Sequence, residues 1–282
     1  PTPSVEAILH AIIPSRFVDH THADAVVAIS NTPNGEDILR NLYGDDVLIL
    51  PYVMPGFVLA QQIFNATRTV EWSALKGIVL LHHGVFTFHE NAKVSYENMV
   101  SLVDRAEQYL HEKGIWACAH HAAYDPADED FLQLARMRQH VSTLVGKPMQ
   151  ARWDLAATAV GYSAVDNIEN IAARGPLTPD HTLHTKRTAM IVDGNSDSAV
   201  DIFSQQYRDY FDKHSQFYKN SSDLTCLDAA PRVGVWKNRG MLYFAPNVKR
   251  LQIVQDIASH TCRAVQWAEA MGGWQALPEK DI

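Results

Sequence analysis

Two histidines, His20 and His22, flank a threonine in FVDHTHADA, and a third, His83, precedes a glycine in LLHHGVF. Neutral imidazoles bind divalent metals, and a catalytic zinc site commonly takes three protein donors and leaves a position for water or substrate. In an extended strand, residues i and i+2 project to the same side, so His20 and His22 can converge on one ion if residues 17–21 are a strand. A His-x-His pair alone is weak evidence, so the third donor matters. His83 offers it at the end of an apolar strand, where Gly84 lets the backbone turn closely beside the ligand. Upstream, Glu6 and His10 stand four apart in PSVEAILHAII, the spacing of a helix-surface pair. A carboxylate near a metal-bound carbonyl compound is also the arrangement that moves a proton at the adjacent carbon.

Placing these groups requires a layered framework. The first part predicts strands at 17–21, 47–50, 77–81 and 85–88, with helices at 23–30, 37–42, 57–68 and 92–112. Such alternation indicates an α/β domain. HHAAYDPADED, from 120 to 130, is loop-like and its acids 128–130 are expected to be solvated. Residues 131–173 are expected to be mostly helical. A second α/β stretch comes next, with strands at 189–192, 232–236 and 241–245 and helices at 198–211 and 248–271. In the last helix Ile253, Ile257 and Val265 are expected to face the strands. The boundary is placed near residue 122, dividing a first domain, 1–122, from a C-terminal segment, 123–282.

HGVFTFHENAK, at 83–93, lies without gaps over RGMLYFAPNVK, at 239–249, and each precedes a predicted long helix. This is either shared strand–turn–helix grammar or an old duplication. Under the second alternative Arg239 stands where His83 does. A guanidinium has no lone pair for a cation, so that copy is expected to hold no metal.

In order and approximate spacing, PSVEAILHAIIP, VDHTHADA, LPYVMPGFVLAQ and LLHHGVFTFHENAKVSYENMVSLVDRAEQYL resemble the successive signatures of the class II aldolase/adducin family. RGPLTPDH, LDAAPRV and AVQWAEAMGGWQALPE are similar to the region after the aldolase core in bifunctional aldolase/short-chain dehydrogenase proteins. The resemblance implies a three-layer α/β/α class II aldolase-like domain followed by a smaller α/β segment. It implies His20, His22 and His83 as ligands of Zn²⁺ or another divalent ion, and Glu6 as catalytic acid/base. Ser4 falls where the family contacts the substrate phosphate. The implied reaction cleaves a ketose 1-phosphate of the fuculose or rhamnulose type into dihydroxyacetone phosphate and an aldehyde, through a metal-stabilised enediolate. A sugar-phosphate 4-epimerase and a non-catalytic, adducin-like assembly module are the alternatives. The family also implies a homo-oligomer, a tetramer by resemblance. Its upstream strands and phosphate-cradling loops are expected to be absent, since five residues precede Glu6.

The remaining composition excludes other classes. A formal charge of −8 argues against nucleic-acid or anionic-membrane partners. Pairs such as Lys186–Arg187 are too short to reverse that. Three widely spaced cysteines imply neither a disulfide framework nor a thiolate zinc site. No apolar run has the length of a membrane span, the opening residues do not form a signal peptide, and a cytoplasmic location is expected. No Gly-x-Gly-x-x-Gly run occurs, so no dehydrogenase module is expected.

Overall fold

A computed structural model of the chain describes residues 6–54, 56–194, 196–217 and 224–282, apart from the side chain of residue 197. They form two compact units, one of residues up to 117 with 267–275, the other of 118–266 with 276–282. No helix among the described residues is long and apolar enough to cross a membrane.

The first unit runs α1 (Ala7–Ile12), β1 (Phe17–Thr21), α2 (Asp24–Ser30), α3 (Gly35–Tyr43), β2 (Val47–Leu50), α4 (Phe57–Thr67), β3 (Gly77–Leu80), β4 (Gly84–His89) and α5 (Ala92–Glu112). Its sheet has the order β1-β4-β3-β2, with β2 and β3 parallel and the other pairs antiparallel. Alternation along the strands makes two apolar faces. Ile78, Leu80, Phe86 and Phe88 pack against Leu9 of α1, Ile13 just after it, and Leu59 and Ile63 of α4. On the opposite face a Cβ at Gly77 would meet the Phe86 carbonyl oxygen at 2.5 Å and Leu102 Cδ1 of α5 at 3.1 Å, which leaves no room for a larger residue there. Each fully buried side chain of this kind contributes about 1.5–3 kcal/mol relative to exposure. Helices on both faces give three layers. Residues 267–275 rejoin this unit through Trp267, whose indole N–H donates to the Trp116 carbonyl at 3.0 Å.

The second unit runs α6 (Asp128–Val145), β5 (Gln150–Asp154), α7 (Ala157–Ser163), α8 (Ile168–Ala172), β6 (Met190–Val192), α9 (Ser196–Ser215), β7 (Val233–Trp236), β8 (Gly240–Ala245) and α10 (Val248–Ala270), the last reaching into the first unit's residues. Its sheet, β5-β8-β7-β6, repeats the order and strand senses of the first. The repetition extends to detail. His82 and Asn238, each just before the turn into β4 or β8, have φ of 57° and 62°. A Cβ on Gly84 would meet the Thr21 carbonyl oxygen at 2.5 Å, and one on Gly240 the Asp154 oxygen at 2.2 Å. Ser30 Oγ donates to the Val27 carbonyl, and Ser163 Oγ to that of Val160. The likeness of 83–93 to 239–249 is therefore part of a whole repeated topology.

Three expectations need correction. Residues 131–173 are mostly helical, but β5 interrupts them, and QARWD escaped notice because only Ala151 and Trp153 turn inward from a short, half-buried strand. Asp130 is not solvated but 4% exposed. In α10 the core stripe is Leu251, Val254, Ala258 and Val265, spaced three, four and seven apart, while Ile253 and Ile257 lie on its flank, half-buried.

Candidate metal centre

The strand register decides where the histidines go. His20 pairs with Phe86 across β1 and β4, on the face that α1 covers, and its ring stacks on Phe86 with centroids 3.9 Å apart. His22 lies one residue beyond β1, with its ring centroid 4.8 Å from that of His20. His83 sits in the turn between β3 and β4, 1% exposed, its centroid 5.3 Å from His20 and 5.0 Å from His22. His82, in the left-handed conformation, donates its backbone N–H to Ser30 Oγ at 3.1 Å and so holds the turn that carries His83 inward. Gly84 is required sterically, because a Cβ there would lie 2.9 Å from His22 Cδ2 and 3.0 Å from His20 Cε1.

Glu6 enters from the N-terminal end of α1. Its Oε1 lies 2.9 Å from His83 Nε2 and 3.4 Å from His20 Nε2. His10 shares the helix but not the cluster; its ring meets the edge of Phe86 at 5.6 Å. Ser4 lies outside the described residues.

His20 Nδ1 donates to the Val85 carbonyl at 2.9 Å, and a carbonyl only accepts, so the neutral ring keeps its lone pair on Nε2. That nitrogen faces His22 Nε2 at 2.9 Å. Burial, against the opposing pull of Glu6, brings the His20 pKa down to about 4, so this ring is neutral at ordinary pH. Burial pushes the Glu6 carboxyl up, but the hydrogen bond with His83 and the electrostatic attraction of the neighbouring histidines outweigh it, leaving the group below its ordinary 4.5 and ionised.

The candidate ligand atoms of Glu6, His20, His22 and His83 all lie within 4.8 Å of one another. An ion bonded to each at 2.0–2.2 Å needs neighbouring donors roughly 3.3 Å apart, close to the three short separations above. Two ring nitrogens facing each other, a carboxylate beside them and a glycine gap between them suit a divalent cation. Reading the sequence missed Phe86 as the platform under His20, Val85 as the group that sets its tautomer, and Ser30 as the anchor of the turn. The first two depend on strand register and the third on how α2 packs against the turn, for which the sequence carried no signal.

In the second unit Trp153 pairs with Leu242 as His20 does with Phe86, and Leu155 comes where His22 stands. Arg239 occupies the place of His83 and bonds Asp130, an acid in the first turn of the helix that precedes β5, much as His83 meets Glu6. Asp130 also accepts from Tyr124 Oη at 2.8 Å and the Ala127 N–H at 3.0 Å. His181 and His184 bond instead to Thr178 and Arg250. Among the described residues, the first unit's cluster is the one group of three or more donors placed to hold a metal.

Residues 1–110 match the family model described as "Class II Aldolase and Adducin N-terminal domain", and residues 129–282 match "Aldolase class II, second domain". The whole chain is similar to 42% of the protein named "Uncharacterized oxidoreductase YuxG" from Bacillus subtilis (strain 168), 26% identical over 302 residues. The chain thus spans well under half the length of that relative. A solved structure, titled as the N-terminal class II aldolase domain of a conserved protein from Thermoplasma acidophilum, is 41% identical over 39% of this chain and 49% of its own, with a TM-score of 0.35. With both regions matched, the second alone running through more than half of the 282 residues, the chain belongs to the class II aldolase and adducin family.

Proposed function

We propose that this protein is a divalent-metal-dependent aldolase that cleaves a ketose 1-phosphate into dihydroxyacetone phosphate and an aldehyde. The observation that carries the reading is the approach of the Glu6 carboxylate to three imidazoles that share one small space. His20, His22 and His83 would hold the ion, taken as Zn²⁺, through lone pairs that burial and the Val85 hydrogen bond keep available on His20. The ion, when bound, supplies Lewis-acid polarisation of the substrate carbonyl. Glu6, ionised and beside His83, takes a proton from the carbon next to that carbonyl in condensation and returns it in cleavage. The side chain of Glu6 is 16% exposed, so it combines partial desolvation with access to a bound ligand. This scheme needs no Schiff-base lysine. Ser4 is proposed as a phosphate contact, the working assembly as a tetramer and the compartment as the cytoplasm.

The test is product analysis with fuculose 1-phosphate and rhamnulose 1-phosphate, with and without chelator. Metal-dependent release of aldehyde together with dihydroxyacetone phosphate supports the proposal. An epimeric sugar phosphate without free aldehyde means a 4-epimerase, and no turnover by metal-loaded protein means a non-catalytic module. Sedimentation as a monomer would remove the tetramer.

A further inference from the structure

The second unit gathers cations around a single carboxylate, well away in sequence from the histidine cluster. Glu279, in the short turn Glu279–Asp281, accepts from Lys213 Nζ at 2.8 Å and His214 Nε2 at 3.1 Å, and meets the Arg187 guanidinium at 3.1 Å. Lys213 and Arg187 alone bring two full positive charges to face one negative charge. The donors are held in place from behind. Arg187 Nη1 donates to the Arg174 carbonyl at 3.1 Å, and its guanidinium lies 5.0 Å from the Tyr210 ring centroid. His214 packs on Tyr210 at 5.3 Å, and its Nδ1 is buried without a hydrogen-bond partner among the described residues. The basic pair Lys186–Arg187, left without a role by the sequence, thereby acquires one.

Beside this cluster lies a cavity of about 350 Å³, lined among others by Arg187, Gln206, Tyr207, Asp209, Lys213 and Glu279. That is the lower end of the range of small-molecule sites. A planar guanidinium next to an ammonium matches the oxygens of a phosphate, whose double charge balances the two fixed cations better than a carboxylate can. Asp209 and Gln206, on the same helix, offer hydrogen-bond partners to hydroxyl groups.

We propose that Arg187, Lys213 and His214 form a binding site for a small hydroxylated phosphate monoester, with the Glu279 carboxylate standing in for its phosphate in this structure. A tethered carboxylate competes as if present at millimolar concentration, so the site is masked until a ligand displaces it. The proposal is independent of the aldolase reading, since every group it uses belongs to the second unit.

Titration calorimetry with inorganic phosphate as the probe tests it, on the wild type, Glu279→Gln, and Glu279→Gln combined with Lys213→Gln. The single variant should bind phosphate at least tenfold more tightly than the wild type, and the double variant should lose that gain. Phosphate bound at the histidine cluster would not respond to these changes. Circular dichroism checks that the variants fold. Should they not fold, the His214 ring resonances of the wild type are followed by NMR during phosphate titration, where a saturable shift is expected. Equal phosphate affinity in wild type and Glu279→Gln, or unmoved His214 resonances, would mean that Glu279 is a structural clasp and overturn the proposal.

Discussion

Oε1 of Glu6 lies 2.9 Å from Nε2 of His83, and Asp130 bonds Arg239 at the corresponding place in the second unit. In both, an acid from the start of a helix meets the residue just before the second strand of the sheet's last hairpin. In the first unit the partner is an imidazole with room for a cation among its neighbours. In the second the cation is the guanidinium itself. That difference separates a candidate metal centre from a permanent ion pair.

Replacing Glu6 by Gln keeps the size and hydrogen-bonding reach of the side chain but removes its capacity to take a proton. Bound metal should stay near one per chain by elemental analysis, while turnover falls by about 10²–10⁴-fold. Near-normal turnover would remove Glu6 from the proton-transfer step.

Gly84→Ala adds a Cβ 2.5 Å from the Thr21 carbonyl oxygen and 2.9 Å from the His22 ring. Backbone must shift, so a loss of about 1–3 kcal/mol is expected in denaturant unfolding. Because the same shift spreads the two imidazoles, metal content should fall as well. Unchanged metal content would show that the gap is not needed for binding.

Metal removal gives a third outcome. An ion that binds only the folded state stabilises it by about 2.7 kcal/mol at a free concentration a hundred times its Kd. Chelator should therefore lower the melting temperature of the wild type and leave His83→Ala unmoved. Equal chelator sensitivity in both would place the metal elsewhere.

Arg239→Met leaves the Asp130 carboxylate, 4% exposed, without its cation. Breaking a buried pair from one side costs about 3–5 kcal/mol, and since the Arg239 side chain is one-third exposed, a loss nearer 2–3 kcal/mol is expected. The metal content of the first unit should not change. A fully stable Arg239→Met protein would show that Tyr124 and the Ala127 N–H suffice to hold Asp130.

Hydrogen bonds from Lys213 and His214 hold the Glu279 carboxyl down at about 2, against an ordinary 4.5. A depressed carboxyl contributes its stability above the free value and loses it as pH falls through the folded one. Acid unfolding should therefore show a wild-type advantage over Glu279→Gln at pH 5 that shrinks between pH 4.5 and pH 2. An advantage that instead grew towards acid would contradict the assigned shift.

By themselves, residue type and spacing were enough for the local part of the answer. A short apolar run marked β2 and a long helical stretch marked α5 at their observed bounds, and His20-x-His22 with His83-Gly84 named the imidazoles that the structure brings together. These features were legible because they depend on neighbours a few residues apart. Register and long-range approach belong to the tertiary structure. The pairing of His20 with Phe86 and the Val85 carbonyl that fixes its tautomer need β4, more than sixty residues away. Glu6 reads as a helix-surface residue until α1 is packed beside β1. Asp130 reads as a solvated acid until Arg239, 109 positions later, arrives to neutralise it. A buried charge is tolerable only with its partner in place, and the partner is chosen by how the chain packs, not by the residues on either side.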